Sequence, residues 1–188
     1  MVQWILLGIV VAIVLYAIAA YNRLVKARQM VREGWSGIDV QLKKRANLIP
    51  NLVAAVKGYM GHERELLERV TELRARAAGM SDATPRQRSA VEQELSSLLG
   101  RIFVAVENYP DLKADRNVLE LQKQLNQIEE DIQMARRYYN GAVRENNILV
   151  ESFPSNIIAR LFNFSKAEYF ELEDEAARQV PKVDLQFS

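Results

Sequence analysis

The sequence has no cysteine and only one histidine, His62. Without cysteine the chain has no disulfide, no cysteine-ligated metal site and no thiol nucleophile, and it suits a reducing compartment. His62 has neither a second histidine nor a Glu-x-x-His pair at the spacing of a zinc or di-iron site, because those positions hold Leu66 and Tyr59. Phosphate-binding glycine loops and catalytic-triad motifs are also missing. The sequence therefore predicts no enzyme activity, no metal and no cofactor.

A strong net charge is missing as well, since 25 basic and 24 acidic residues leave a formal charge of +1 over 188 residues. A nearly neutral chain gives no electrostatic indication of a nucleic-acid partner. The charge is uneven, however: residues 22–60 carry eight Lys or Arg against Glu33 and Asp39, a local net charge of +6. The length suits one domain with an added anchor.

Charged side chains are absent from residues 2–21, which read VQWILLGIVVAIVLYAIAAY. A helix of about 20 residues spans roughly 30 Å, the thickness of the hydrocarbon core of a bilayer. A cleaved signal peptide is the alternative, because Ala17-Ile18-Ala19 resembles a cleavage site. The positive n-region is missing, however, and the apolar run is longer than usual. Residues 1–22 are therefore predicted to be a transmembrane anchor, with interfacial aromatic residues at Trp4, Tyr16 and Tyr21.

The residues that flank this anchor predict its orientation. Four basic residues follow the apolar run, whereas nothing charged precedes it except the amino terminus; they are Arg23, Lys26, Arg28 and Arg32. Basic flanks remain on the cytoplasmic side of a membrane. We therefore expect a single-pass protein with its N-terminus outside and its C-terminal domain in the cytoplasm.

Apolar residues recur every three or four positions through residues 22–151, which predicts long helices that pack along coiled-coil-like seams. The expected fold class is all-α: an N-terminal transmembrane helix followed by a long antiparallel helical bundle over residues 23–152. Breaks are expected at residues 79–83 and 108–111, with a capping box at Thr84–Gln87 and a cap at Asp115. Residues 153–188 are predicted to form an amphipathic segment and a short helix, beginning at Ser165, that packs on the bundle or the membrane.

Pro50 allows two arrangements. It either makes a tight hairpin at Asn47–Asn51 or kinks one long helix that continues to Ala78. We favour the kink because the heptad phase runs through Pro50 without interruption. In that arrangement an apolar stripe near the membrane, which consists of Trp35, Ile38, Leu42 and Ile49, stays partly exposed. An exposed stripe of this kind recruits further copies of the chain, which predicts a homo-oligomer. The hairpin instead predicts a bundle that folds as a monomer and returns residues 153–164 to the membrane surface.

Three polar or apolar features remain open. Lys43-Lys44-Arg45 is interpreted as a solvated helix face, and a contact with anionic lipid or a partner is the alternative. Four asparagines lie near the apolar seams as buried polar pins or as caps; they are Asn47, Asn51, Asn146 and Asn147. The segment FPSNIIARLFNF either caps the core or lies on the membrane, and its apolar residues are Phe153, Ile157, Ile158, Leu161, Phe162 and Phe164.

The succession of short motifs along the chain resembles the LemA family. The first half carries YNRLV from Tyr21, WS at Trp35, VQLKKR from Val40, LIPNLV from Leu48, VKGY from Val56 and HE at His62. The second half carries ENYPDLKA from Glu107, YN at Tyr139, FPSN from Phe153 and YFE from Tyr169. The resemblance covers nearly the whole chain in order. It implies a bacterial inner-membrane protein with a short external tail, an internal helical domain and no enzyme activity.

Two functions fit these expectations. The first is a membrane-anchored cytoplasmic scaffold that assembles with itself or with partners. Analogy with a related magnetosome protein suggests that this scaffold organises or remodels the membrane. The second is a non-catalytic adaptor or accessory subunit of a membrane enzyme such as a protease. The expected partners are membrane lipid, further copies of the chain and a membrane protein, with no nucleic acid.

Overall fold

The computed structural model describes residues 1–80 and 83–171, and within those ranges the chain is all-α. The helices are α1 (Val2–Val56), α2 (Arg64–Ala78), α3 (Pro85–Val106), α4 (Pro110–Ala114), α5 (Arg116–Glu151) and α6 (Ser155–Leu161). The predicted fold class of a long apolar first helix followed by helical packing is thus confirmed. The part of the expected C-terminal segment from residue 172 to residue 188 lies outside the described residues.

Helix α1 changes character along its length. Its first part is apolar on every side and stands clear of the rest of the chain; it is the one described helix long and apolar enough to cross a membrane by length and composition. From Ala20 onward a single buried seam appears, with residues at spacings of three and four: Ala20, Leu24, Ala27, Gly34, Ile38, Leu42, Arg45, Ile49, Leu52 and Val56. The one-sided seam requires a partner along the rest of α1.

Helix α5 is that partner and runs antiparallel to α1. Leu24 shares an apolar cluster with Leu149, whereas Arg45, farther out along α1, pairs with Glu129, nearer the start of α5. The backbones approach closely at Gly34, where a Cβ atom would lie 3.0 Å from the Cα of Tyr139. A side chain at this position would push the two helices apart by a few tenths of an ångström, so glycine suits the observed helix spacing.

Pro50 lies inside a helix, as the favoured arrangement predicts, and the hairpin at Asn47–Asn51 is wrong. The predicted continuation of that helix to Ala78 is also wrong. Helix α1 passes through Pro50 and ends at Val56, and α2 begins at Arg64. Proline has no N–H, so the carbonyl of Ala46 loses its usual helical donor. Arg74 of α2 supplies a donor instead, with Nε 3.0 Å from that carbonyl.

The reversal of the chain falls at residues 57–63. Gly58 and Gly61 lie in this turn, and glycine is a poor helix former. Met60 turns inward and is buried, while the carboxylate of Glu63 accepts a hydrogen bond of 2.7 Å from the hydroxyl of Tyr109. The turn is therefore fastened both to the core and to the segment between α3 and α4.

The remaining turns agree with the sequence prediction. The side chain of Thr84 accepts from the backbone N–H of Gln87, and the Gln87 side chain accepts from the backbone of Thr84, which completes the capping box of α3. Asp115 caps α5 by accepting from the backbone of Asn117 and Val118. The chain thus runs away from the apolar start of α1 along that helix, back in α2, outward in α3 and back in α5. The distal core lies among these four helices and includes Leu52, Val70, Leu95, Ile102 and Leu125.

The apolar stripe near the membrane is covered within one chain, so the expectation that it stays bare is wrong. Ile38, Leu42 and Ile49 are each no more than 2% exposed. The ring of Trp35 lies 5.6 Å from that of Tyr139. The reason is the length of α5, whose 36 residues rise about 54 Å and reach the stripe that α3 is too short to cover. Self-association stays a prediction, and this stripe no longer supports it.

The short helix expected from Ser165 is not formed within the described residues. The helix lies earlier, at Ser155–Leu161, and residues 162–171 have no helical structure. Asn163 has a φ of 56° and ends α6, and the N–H of Phe164 donates to the carbonyl of Ala159 at 2.8 Å. This is the pattern of a Schellman cap, in which asparagine substitutes for the usual glycine. It turns the chain back along α5.

Candidate functional site

The membrane-proximal end of the molecule carries a compact apolar element, here called the foot (residues 153–164). Helix α6 packs against α1 through a cluster that contains Ala20, Leu24, Ala27, Leu149, Ile158, Ala159 and Phe164. Ala17 and Tyr21 also pack against this cluster. The foot therefore lies beside α1 where the apolar anchor ends and the helical body begins.

The foot has two faces. Ile158 and Phe164 point into the cluster and are 9% and 7% exposed. The other four apolar side chains point outward, with exposures of 79% for Phe153, 56% for Ile157, 69% for Leu161 and 51% for Phe162. Phe153, Ile157 and Leu161 follow at intervals of four residues, which places the latter two on one side of α6. The six candidate residues thus divide between a core-capping face and an outward face.

The predicted anchor and flank residues occupy different surroundings. Trp4 and Tyr16 are exposed on the anchor, whereas Tyr21 contacts Phe162 and Phe164 edge to face at ring distances of 4.8 and 5.7 Å. The guanidinium of Arg28 lies 4.7 Å from the centre of the Phe164 ring. The other flank residues are exposed along α1; they are Arg23, Lys26 and Arg32. The structure thus joins Tyr21 and Arg28 to the foot and leaves Trp4 at the opposite end of the anchor.

An extended segment, here called the strap (residues 165–170), follows the foot and lies along α5. Asn147 makes two hydrogen bonds with the backbone of Ala167, donating to its carbonyl at 3.0 Å and accepting from its N–H at 2.8 Å. Asn140 does the same with Phe170, at 3.1 and 2.9 Å. Asn146 donates to the carbonyl of Ser165 at 3.2 Å. Hydrogen bonds with the side-chain amides of α5 therefore hold the strap against that helix.

The spacing of these asparagines has a simple geometric basis. Seven residues of α-helix rise about 10.5 Å, and three residues of extended chain cover about 10 Å. Asn140 therefore lies opposite Phe170, and Asn147 lies opposite Ala167. Sequence reasoning singled out Asn146 and Asn147 without their partner and missed Asn140, although its seven-residue spacing from Asn147 was the available signal. Asn47 and Asn51 are exposed on α1.

Tyr139 reinforces the strap from within the core. Its hydroxyl donates to the carbonyl of Glu168 at 2.8 Å, and the side chain is 2% exposed. Burial, assisted by the negative charge of Glu168, raises the pKa of Tyr139 from 10.0 to about 12. The neutral hydroxyl is thus the form that the folded chain favours.

A buried charge cluster joins α1, α3 and α5 farther from the membrane. Arg45 is 1% exposed and pairs with the carboxylates of Glu92 and Glu129, with a further hydrogen bond to Ser96. The prediction that Arg45 belongs to a solvated basic face is therefore wrong. Lys43 and Lys44 do point outward, but the helix register places Arg45 on the seam.

A second arginine extends this cluster. Arg88 binds Asp39 at 2.8 Å and lies 3.6 Å from the carboxylate of Glu92. Burial opposes ionisation of Asp39, but hydrogen bonds from Lys43 and Arg88 outweigh it and hold the Asp39 pKa below its ordinary value. Opposite charges thus meet throughout the cluster, as buried ionic groups require.

Residues 1–80 and 83–171 contain no group of three or more His, Cys, Asp or Glu side chains arranged to hold a metal ion. His62 lies exposed in the turn between α1 and α2. The candidate functional features are therefore the surface of the foot and two sets of stabilising contacts, those of the strap and those of the charge cluster.

Comparison with known proteins gives the class to which this arrangement belongs. The model of the LemA family matches residues 34–185. The match covers most of the chain, from Gly34 in the second half of α1 to a point beyond the strap. The chain belongs to the LemA family.

Individual relatives are more distant in sequence. Protein LemA of Metamycoplasma hominis is 23% identical over 167 residues, which are 89% of this chain and 74% of the relative. Magnetosome protein MamQ 2 of Paramagnetospirillum magneticum is 24% identical over 202 residues, covering 94% of this chain and 73% of the relative. Magnetosome protein MamQ of Magnetospirillum gryphiswaldense is 21% identical, covering 85% and 68%. The family and these relatives, together with the apolar α1, support membrane association.

Proposed function

We propose that this protein is a non-catalytic scaffold that stands on the cytoplasmic face of the bacterial inner membrane and assembles there with itself or with partners. The observation that carries the proposal is the continuity of α1, which runs as one helix from the apolar anchor to Val56. Residues 22–56 alone rise about 52 Å. A helix that passes unbroken from anchor to body holds the body at a fixed angle to the anchor and carries it away from the bilayer.

The fastenings within the body support the same role. The buried charge cluster around Arg45 ties α1, α3 and α5 together, and the asparagine contacts of the strap close the membrane-proximal half. Separating the members of a buried ion pair leaves an uncompensated charge, so the cluster opposes rearrangement of these three helices. The arrangement thus suits a body that keeps one shape while it presents its surfaces.

Orientation is part of the proposal. Four basic flank residues follow Tyr21 within about three helical turns: Arg23, Lys26, Arg28 and Arg32. They would remain in the cytoplasm, which leaves Trp4 at the outer interface. Relatives named as magnetosome proteins support a role in membrane organisation by analogy. Lipid is thus one proposed partner, and further copies or another membrane protein are the others.

Extraction of the full chain from its native membrane in lipid particles tests the proposal. We expect particles in which several copies of this polypeptide make up most of the protein mass. A particle that contains one copy with a stoichiometric membrane enzyme would replace the scaffold by the adaptor function. A lone monomer at native expression level would contradict assembly of either kind.

A further inference from the structure

The outward face of the foot is unlike the other apolar surface of the body. Its four exposed side chains lie within ten consecutive residues at one end of the molecule: Phe153, Ile157, Leu161 and Phe162. The other large exposed apolar residues of the described body are spread over several helices and the turn after α1, among them Val40, Tyr59, Val104, Leu119, Met134 and Ile148. Single exposed apolar residues are common on soluble surfaces, whereas a contiguous patch marks a site of interaction.

The height of the foot along α1 indicates what covers it. The cluster beneath α6 reaches Ala17, which lies one helical turn inside the apolar run, and Phe162 contacts Tyr21 at the end of that run. If residues 2–21 span the hydrocarbon core, these contacts place the foot at the boundary between acyl chains and headgroups. A protein partner at this height would have to compete with lipid for the same surface.

The charges around the foot fit a lipid surface. Arg160 is exposed on α6 between Ile157 and Leu161, and Arg23 and Lys26 are exposed nearby on α1. Basic side chains beside an apolar face are typical of helices that lie in a membrane interface. The neighbouring carboxylate of Glu151 is paired with Lys166 at 2.7 Å, which moderates its repulsion of anionic headgroups.

The foot is also held in a fixed position. Asn163 turns the chain so that Phe164 enters the core cluster, and the strap then pairs with Asn140 and Asn147. At the other end of α6, the hydroxyl of Ser155 donates to the carbonyl of Leu149 in α5 at 2.7 Å. Because both ends of α6 are fastened, the outward face keeps its position relative to α1. A loosely attached amphipathic segment would lack this restriction.

We propose that the outward face of the foot inserts into the acyl–headgroup boundary of the leaflet from which the body emerges, giving the body a second contact with the bilayer. This inference rests on the proposed membrane anchoring of α1. The second contact limits rotation and tilt of the body, which one transmembrane helix leaves free. The occupant of the face is the lipid of the protein's own membrane.

The full chain in nanodiscs of phosphatidylglycerol and phosphatidylcholine allows a direct test, because it contains no native cysteine. A nitroxide label is attached to Leu161→Cys, and its accessibility to oxygen and to a water-soluble nickel chelate is measured. Val104→Cys on α3 is the matched control, since its native side chain is 70% exposed against 69% for Leu161. Ile13→Cys, in the middle of the apolar run, reports on the anchor itself.

We expect the labels at residues 13 and 161 to favour oxygen and the label at residue 104 to favour nickel, with at least about a tenfold difference in the ratio of the two accessibilities. A nickel-accessible label at 161 beside an oxygen-accessible label at 13 would overturn the foot proposal and leave the anchor intact. If the label at 13 is also open to nickel, the proposed anchoring fails. Protection of 161 from both reagents, with spin–spin broadening between copies, would assign the face to a second copy and overturn the lipid proposal.

Discussion

Arg74 donates a hydrogen bond from Nε to the carbonyl of Ala46 at 3.0 Å. That carbonyl lies four residues before Pro50, where a proline ring replaces the N–H that would otherwise bind it. An arginine of α2 thus compensates for a proline in α1. The same contact fixes the antiparallel docking of the two helices.

This relationship predicts that substitutions at residues 50 and 74 are coupled. With Pro50 in place, Arg74→Met leaves the Ala46 carbonyl without a protein donor and should lower the free energy of unfolding by about 1.5–3 kcal/mol. In a Pro50→Ala background the helix supplies its own donor, so the same change should cost about 1 kcal/mol less. Denaturant unfolding followed by helical circular dichroism measures the cycle, and strictly additive effects would argue against the compensation.

Gly34 and Gly37 make a matched pair for testing the approach of α1 to α5. A Cβ atom on Gly34 meets the Tyr139 backbone at 3.0 Å, whereas one on Gly37 meets nothing within 4 Å. We expect Gly37→Ala to stabilise the chain by about 0.5–1 kcal/mol through better helix propensity. Gly34→Ala should instead destabilise it by about 1 kcal/mol, because overpacking outweighs that gain. Equal stabilisation of both variants in thermal unfolding would disprove the close contact.

The strap provides a local prediction. Asn147→Ala removes both hydrogen bonds to Ala167, each worth about 0.5–1.5 kcal/mol. Amide hydrogen exchange over residues 165–171 should therefore accelerate by about tenfold or more. Asn126→Ala, at an exposed position on the same helix, is the control and should leave exchange in the strap unchanged. Unaltered exchange in Asn147→Ala would mean that the asparagine contacts do not hold the segment.

Acid stability tests the pairing of Asp39 with Arg88 and Lys43. The folded-state pKa of Asp39 lies below its ordinary value of 3.8. Its stabilising contribution is thus fully present above that ordinary value and is lost as pH falls through the lower folded-state pKa. We expect Asp39→Asn to be less stable than the natural chain near neutral pH, with the difference shrinking on acidification below about pH 4. Asp111→Asn, which keeps Asp39 intact, should retain the acid loss of the natural chain. A difference independent of pH would contradict the assigned pairing.

The sequence predicted the elements whose signals are local or periodic. The seam of three- and four-residue spacings in α1 and α5 and the caps at Thr84 and Asp115 are all present in the structure. The turn at residues 57–63 was missed because the heptad phase continues on both sides of it, while Pro50 offered a more conspicuous break. Pro50 stays within α1, and Arg74 supplies the donor that the Ala46 carbonyl would otherwise lack.

The site was harder to predict from the sequence because its residues contact partners that are distant along the chain. Arg45 follows two solvated lysines, and nothing in that run shows that Glu92 and Glu129 meet it in the core. The strap depends on the coincidence between helical and extended spacing, which becomes visible only when the chain returns along α5. The foot could be identified as unusually apolar, but its division into an inward and an outward face required its position beside Ala20 and Leu24.

Cysteine labelling in intact bacterial cells determines on which side of the membrane the body lies, since the native chain has no cysteine to interfere. Val2→Cys and Val104→Cys are each treated with a membrane-impermeant maleimide before and after the cytoplasmic membrane is opened. A membrane-anchored protein with a cytoplasmic body should be labelled at residue 2 in intact cells and at residue 104 only after opening. Labelling of residue 104 in intact cells would contradict the account.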